Sequence, residues 1–193
     1  MSFLRLKPST IAAEALRTHL STPKHLPLHV QELTAQWPAS SLWTIYDGLQ
    51  ALRDSVGETK EVDVELGKKG RGYLDPEYKR VSMGFGMSPT YKSGSAKRAG
   101  LFLDAFILDR IPSSGTGAEL PKGYLAQSDL LDSAPAAQAH CPDLEHYLSG
   151  PRGDIFRRTI WIGPSGSWTP FHKDPYIGIY NQSESNLMML DED

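Results

Sequence analysis

The sequence predicts an α+β domain, with a mixed lead-in of helices and strands ahead of a β core. Three observations predict it. Ile45, Leu49, Leu52 and Val56 recur at the spacing of one helical face. Val62, Val64 and Leu66 alternate with Glu61, Asp63 and Glu65, the period of a half-buried strand. Towards the end, strand-like segments run from Arg157 to Ile162 and from Thr169 to Gln182, split by a turn at Gly163 to Gly166. Helices and isolated strands followed by strands is the α+β order.

Each element has its own signal. A first helix is expected from about Thr10, with Ile11, Ala15, Leu16 and Leu20 as its apolar stripe. Leu28 to Leu33 reads as a short strand or turn before Gln36-Trp37-Pro38. The next helix has Thr44 and Asp47 in a capping-box pattern and Gly57 as its C-cap. Lys68 to Gly72 turns after the alternating strand, and Gly100 to Ile111 is apolar enough for a buried helix. Gly115 to Gly123 is the expected disordered loop. Tyr124-Leu125-Ala126-Gln127 reads as a strand, and Pro142 to Leu148 as a helical turn.

Composition bounds the function. The 193 residues carry 20 Lys plus Arg against 23 Asp plus Glu, a net charge of -3, so bulk attraction to nucleic acid is excluded. No apolar run is long enough to span a bilayer, and the N-terminus lacks the apolar stretch of a secretory signal. The lone Cys141 suits a reducing compartment. A cytoplasmic or nuclear location is expected. The basic, Ser/Thr-containing start leaves a mitochondrial presequence open.

The sharpest local feature is His172-Lys173-Asp174. On a strand, residues two apart face the same side, so an imidazole and a carboxylate converge. With one more His they would make the facial triad of non-haem iron oxygenases. The plainer reading is a surface His beside an Asp. Two other histidine arrangements are weaker. His25 and His29 are separated by Pro27, and His140 and His146 flank Cys141 without a second ligand pair.

The stretch Trp161-Ile162-Gly163-Pro164-Ser165-Gly166-Ser167-Trp168-Thr169-Pro170-Phe171-His172-Lys173-Asp174-Pro175-Tyr176 resembles the metal-binding strand of the JmjC, cupin-like 2-oxoglutarate oxygenases. Tyr124-Leu125-Ala126-Gln127 matches that family's Tyr-Leu-Ala-Gln strand. Gly100-Leu101-Phe102-Leu103-Asp104, Val62-Asp63-Val64-Glu65-Leu66-Gly67 and Trp37-Pro38 fall in the family's order. The likeness is greatest to the small JmjC hydroxylases that modify protein side chains.

The resemblance implies His172 and Asp174 as Fe(II) ligands, and Thr169 and Tyr124 as hydroxyl donors to the cosubstrate 2-oxoglutarate. Read without it, Tyr124 could be a core tyrosine and Thr169 a turn residue. The resemblance also implies a double-stranded β-helix, a jelly roll of about eight strands. This chain has residues for an incomplete one. The implied division is an N-terminal helix and linker at 1–24, a partial JmjC, cupin-like domain at 25–182, and an acidic tail at 183–193 unlike the family. The implied partner is a protein or peptide substrate, without direct nucleic acid or membrane binding.

Two departures qualify this. Gly178 stands where many relatives have Asn, four residues after the metal Asp. After Lys173 the 193 residues contain no further Lys, Arg or His. The family's Lys for the distal 2-oxoglutarate carboxylate and its second iron-binding His therefore have no counterpart here. The sequence reads as C-terminally truncated, and this polypeptide is expected to be inactive on its own. The alternatives are a non-catalytic fragment or binding module, or a relative of the JmjC histone lysine demethylases. The basic pairs Lys79-Arg80 and Arg157-Arg158 read as solvated surface, or as a groove for a charged polypeptide.

Overall fold

The alternation in the middle of the chain builds the sheet that organises the molecule. The computed structural model describes residues 4–6, 11–23, 28–30, 33–57, 60–68, 74–86, 102–111, 121–149, 152–169 and 178–181. The lead-in comprises β1 (Leu4–Leu6), α1 (Ala13–Leu20), β2 (Leu28–Val30), α2 (Pro38–Leu42) and α3 (Gln50–Val56). β1 and β2 pair in parallel. Then β3 (Glu61–Gly67), β4 (Lys79–Gly84), β5 (Lys122–Ser128) and β6 (Ile160–Ile162) form an antiparallel sheet in the order β4-β3-β5-β6. Between β5 and β6 lie α4 (Leu130–Ser133), α5 (Pro135–Ala139) and a 3-10 turn (Glu145–Ser149). The described residues are thus mixed helix and antiparallel sheet, an α+β arrangement.

The two faces of the sheet have different fates. Val62, Val64 and Leu125 point into a core shared with Leu52 and Val56 of α3, Phe85, Phe102, Leu103 and Trp43. Gly123 is needed on that face, because a Cβ there would lie 2.5 Å from the Phe106 ring. The opposite face follows from the period of two. Glu65 is in register with both Arg80 of β4 and Tyr124 of β5, and Asp63 with Ser82. Lys122, two residues before Tyr124, shares this face.

A buried ion pair pins the helical layer. Arg53 of α3 forks onto Asp104 through Nη1–Oδ2 at 3.0 Å and Nη2–Oδ1 at 2.6 Å. The two side chains are only 7% and 6% exposed. The Arg53 Nε–H also donates to the Gly48 carbonyl at 3.1 Å. These bonds satisfy a guanidinium and a carboxylate that would otherwise be costly to bury.

Several expectations are revised. The helix expected from Thr44 begins only at Gln50, because Gly48 and Leu49 adopt left-handed φ of 72° and 57°. Asp47 accepts a bond from the Leu49 amide at 3.0 Å instead of serving a capping box, and Ile45 is exposed. Leu49, Leu52 and Val56 are buried as the spacing predicts. The helix expected over Gly100 to Ile111 is a single π turn, Leu103–Ile107, which carries Asp104 to Arg53. Lys122 and Gly123 lie in β5, not in a disordered loop.

The strand expected over Arg157 to Ile162 shortens to β6, since both arginines turn to other partners. Arg157 donates to the Gln127 carbonyl at 3.0 Å, and Arg158 Nε to Asp143 at 2.7 Å. Of the expected strand from Thr169 to Gln182, residues 170–177 lie outside the described residues, and 178–181 carry no regular ladder. Among the described residues the sheet of four strands and the parallel pair make up the β structure. No helix among them is long and apolar enough to cross a membrane.

Candidate functional site

β5 and the turn after β6 bring two of the four predicted site residues together. Leu125 of β5 pairs with Ile162 of β6, and the chain then turns at residues 164–167. The Ser167 amide donates to the Pro164 carbonyl at 3.1 Å. Gly166 is the third residue of that turn and has φ 77°, the left-handed value required at this place in a type II turn. The turn folds the following residues back over Tyr124. Gly163 permits the approach, because a Cβ there would lie 2.6 Å from Ser167 Oγ and 2.7 Å from Tyr124 Cδ2.

The result is a hydroxyl pair, Tyr124 OH to Thr169 Oγ1 at 3.3 Å. That is long for an O–H···O bond, so little is lost when both groups turn to a better acceptor. Two convergent hydroxyl donors suit a carboxylate, whose two oxygens accept only. This donor set fits one carboxylate of 2-oxoglutarate. Trp161 packs against the Tyr124 ring at a centroid distance of 6.0 Å. Beside them the Ser167 hydroxyl oxygen is buried with no hydrogen-bond partner among the described residues.

The electrostatics favour a neutral phenol. Burial raises the Tyr124 pKa above its ordinary value, the Thr169 contact opposes this, and the Glu65 carboxylate adds to it. Burial also raises Glu65, against the pull of Arg80 and a hydrogen bond from Tyr78. Tyr124 is therefore a protonated donor throughout the neutral range.

His172 and Asp174 lie outside the described residues. Of the other histidines considered as ligands, His25 lies outside the described residues, and His140 and His146 have structural partners. His140 Nδ1 accepts from Trp43 Nε1 at 3.0 Å. His146 Nε2 bonds the Ile11 carbonyl at 3.1 Å, fastening the start of the α1 region to the 3-10 turn. Burial pushes the Cys141 thiol up to about 11, which opposes the thiolate that zinc needs. Among the described residues no three metal-capable side chains converge.

Sequence reasoning missed Glu65, Trp161 and Lys122 as neighbours of Tyr124. The period of two marks Lys122 and Tyr124 as sharing a face. The pairing of β3 with β5 that brings in Glu65 has no local signal.

Three curated proteins align with most of this chain. Lysine-specific demethylase 8 of Danio rerio is 29% identical over 167 residues, covering 84% of this chain and 33% of that protein. The protein of the same name from Xenopus tropicalis is 24% identical over 188 residues, 91% of this chain and 35% of that one. Lysine-specific demethylase JMJ30 of Arabidopsis thaliana is 26% identical over 156 residues, 81% and 30%. The chain is similar to lysine-specific demethylases. It spans about a third of the length of these relatives. Their similarity, at modest identity, supports the JmjC, cupin-like oxygenase family to which the metal-strand motif points. No family model matches the sequence.

Proposed function

We propose that these residues form the cosubstrate-binding and part of the metal-binding machinery of a JmjC-type oxygenase that hydroxylates a side chain of a protein substrate. The observation that carries the reading is the Tyr124–Thr169 hydroxyl pair at 3.3 Å, with Thr169 three residues before His172. In this reading His172 and Asp174 hold Fe(II), and Tyr124 and Thr169 orient 2-oxoglutarate. Fe(II) and 2-oxoglutarate, when bound, would activate O2, the oxidant that breaks a C–H bond. The chain's own contribution is to bind, orient and shield. Tyr124 stays protonated and donates, and Trp161 shields one side of its ring from water. Gly163 lets the loop seat Thr169.

A second reading, lysine demethylation, is favoured by the names of the relatives. The two differ in product: hydroxylation adds one oxygen to a peptide, and demethylation removes a methyl group.

The experiment is binding of Mn(II), as a redox-silent substitute for Fe(II), followed by electron paramagnetic resonance. Two ligands from one short segment should bind it weakly, and His172→Ala should weaken it at least about 10-fold, as even loss of a group behind a ligand typically does. Equal binding by the wild type and the variant refutes the assignment. Succinate release by this polypeptide with Fe(II) and 2-oxoglutarate should not exceed that of His172→Ala, because its residues supply two of three metal ligands. Clear turnover would mean that another residue completes the site.

A further inference from the structure

We infer that residues 143–147 form a brace that grips the stretch carrying His172 and Asp174 at both of its ends, with Tyr147 as a positioning residue. The functional consequence rests on the reading of His172 and Asp174 as metal ligands; the brace itself is made by described residues on either side of them. Three observations carry it.

The first is where the contacts fall. Arg158 opens the stretch that runs through β6, the turn at residues 164–167 and Thr169. Its Nε–H donates to Asp143 Oδ1 at 2.7 Å, and its Nη2 donates to the other oxygen of the same carboxylate. Asn181 closes the stretch beyond Asp174, and its Nδ2 donates to the Tyr147 hydroxyl at 2.9 Å. Asp143 and Tyr147 are 147 minus 143, or four, residues apart, and the two residues they hold are 181 minus 158, or 23, apart. One short segment thus fastens both ends of the loop that contains the His-x-Asp motif. A loop with pinned ends has fewer arrangements open to its middle.

The second is that the brace has a fixed footing. His146 is buried, and its Nε2 meets the Ile11 carbonyl at 3.1 Å. A carbonyl only accepts, so Nε2 carries the proton. Leu144 and Tyr147 pack against the hydrophobic core, and the Tyr147 amide donates to the Leu144 carbonyl at 3.0 Å. Arg158 Nη1 also donates to Asp132 of α4 at 3.0 Å. A lone surface ion pair contributes little, but a guanidinium forked onto one carboxylate and bonded to a second is held in one geometry.

The third is the chemistry of the Tyr147 contact. Burial pushes its hydroxyl up to about 12, against the pull of the Asn181 bond. It stays a neutral phenol across the neutral range and accepts the amide N–H. Ligands that project from one short segment are only as well placed as the supports of that segment.

The test separates positioning from stability. In the 193-residue protein, Tyr147→Phe keeps the ring and removes the bond. It should speed amide hydrogen exchange at residues 178–181 and weaken Mn(II) binding, followed by electron paramagnetic resonance, each about 2- to 10-fold, the range for one neutral hydrogen bond. Asn181→Leu should do the same, the double variant should bind no more weakly than Asn181→Leu alone, and Asn181→Gln should recover part of the loss. Asp143→Asn, which loosens the other end, should act in the same direction. A bond that served stability alone would lower the urea midpoint and leave the Mn(II) affinity of the folded protein unchanged. If Tyr147→Phe and Asp143→Asn bind Mn(II) like the wild type while His172→Ala weakens binding, the inference fails and the metal reading stands. If His172→Ala itself binds like the wild type, the metal reading falls, and exchange at residues 178–181 decides the brace: faster exchange in Tyr147→Phe upholds it and unchanged exchange overturns it.

Discussion

Substituting Gly163 by alanine should cost both stability and the hydroxyl pair. The new Cβ would stand 2.6 Å from Ser167 Oγ and 2.7 Å from Tyr124 Cδ2, where an ordinary contact starts at 3.4 Å. Ser167 would have to retreat by 3.4 minus 2.6, or 0.8 Å, and Tyr124 by 3.4 minus 2.7, or 0.7 Å. The Tyr124–Thr169 contact is already 3.3 Å, so a shift of that size takes it outside hydrogen-bonding range. Ser167 is also an anchor of the turn, through the hydrogen bond its backbone N–H donates to the Pro164 carbonyl. Forcing a methyl group into packed surroundings costs about 1–3 kcal/mol. For a chain of this length that is roughly a 2–12 °C drop in Tm.

The assays are urea unfolding of Gly163→Ala beside the wild type, and titration of both with glutarate, which has the carboxylates of 2-oxoglutarate but lacks the keto oxygen. Adding Ser167→Gly to Gly163→Ala removes the nearer obstruction and should return part of the stability. If Gly163→Ala unfolds and binds like the wild type, the loop does not pack on Tyr124.

Two further predictions concern the layer beneath. Asp104→Asn should destabilise the fold by about 3–5 kcal/mol, because it leaves Arg53 charged and buried without its carboxylate, and the double change Arg53→Met with Asp104→Leu should recover much of it; urea midpoints of the three proteins decide. Cys141, its thiol raised by burial from 9.0 to about 11, should carry about a hundredfold less thiolate near pH 8 than an unfolded thiol. Iodoacetamide labelling should therefore be slow in the native protein and speed up in urea. Because the folded value is the higher one, stability linked to this thiol is fully present below about pH 9 and is lost as pH rises through about 11. Native and urea-unfolded protein labelling at one rate would refute the burial.

The alternation at residues 61–66 and the apolar spacing at Leu49, Leu52 and Val56 were legible because burial of one face imposes a period, and a period is visible locally. The motif around Tyr124 and Thr169 was legible because hydroxyl donors and a glycine turn are particular residue types in a particular order. β4 was not, since among the described residues it is an edge strand that buries little besides Gly84 and gives almost no apolar signal. The start of α3 was misread because the capping pattern at Thr44 and Asp47 competes with the left-handed pair Gly48 and Leu49, and the packing of Leu49 decides between them. The helix expected after Gly100 is a π turn, and its Asp104 meets Arg53, 51 residues away, a contact that no local window of sequence contains.

The sequence by itself determined which residues are chemically equipped: the hydroxyls of Tyr124 and Thr169, the glycines of the turn, and the His172–Asp174 spacing. Only the tertiary structure decided that Tyr124 and Thr169, 45 residues apart, stand 3.3 Å from each other. It also decided that Glu65 of β3 lies across from Tyr124. Local periodicity fixes the side of a strand on which a residue lies. The strand that comes to lie beside it depends on antiparallel pairing and loop closure across the whole chain, which no short window of sequence contains.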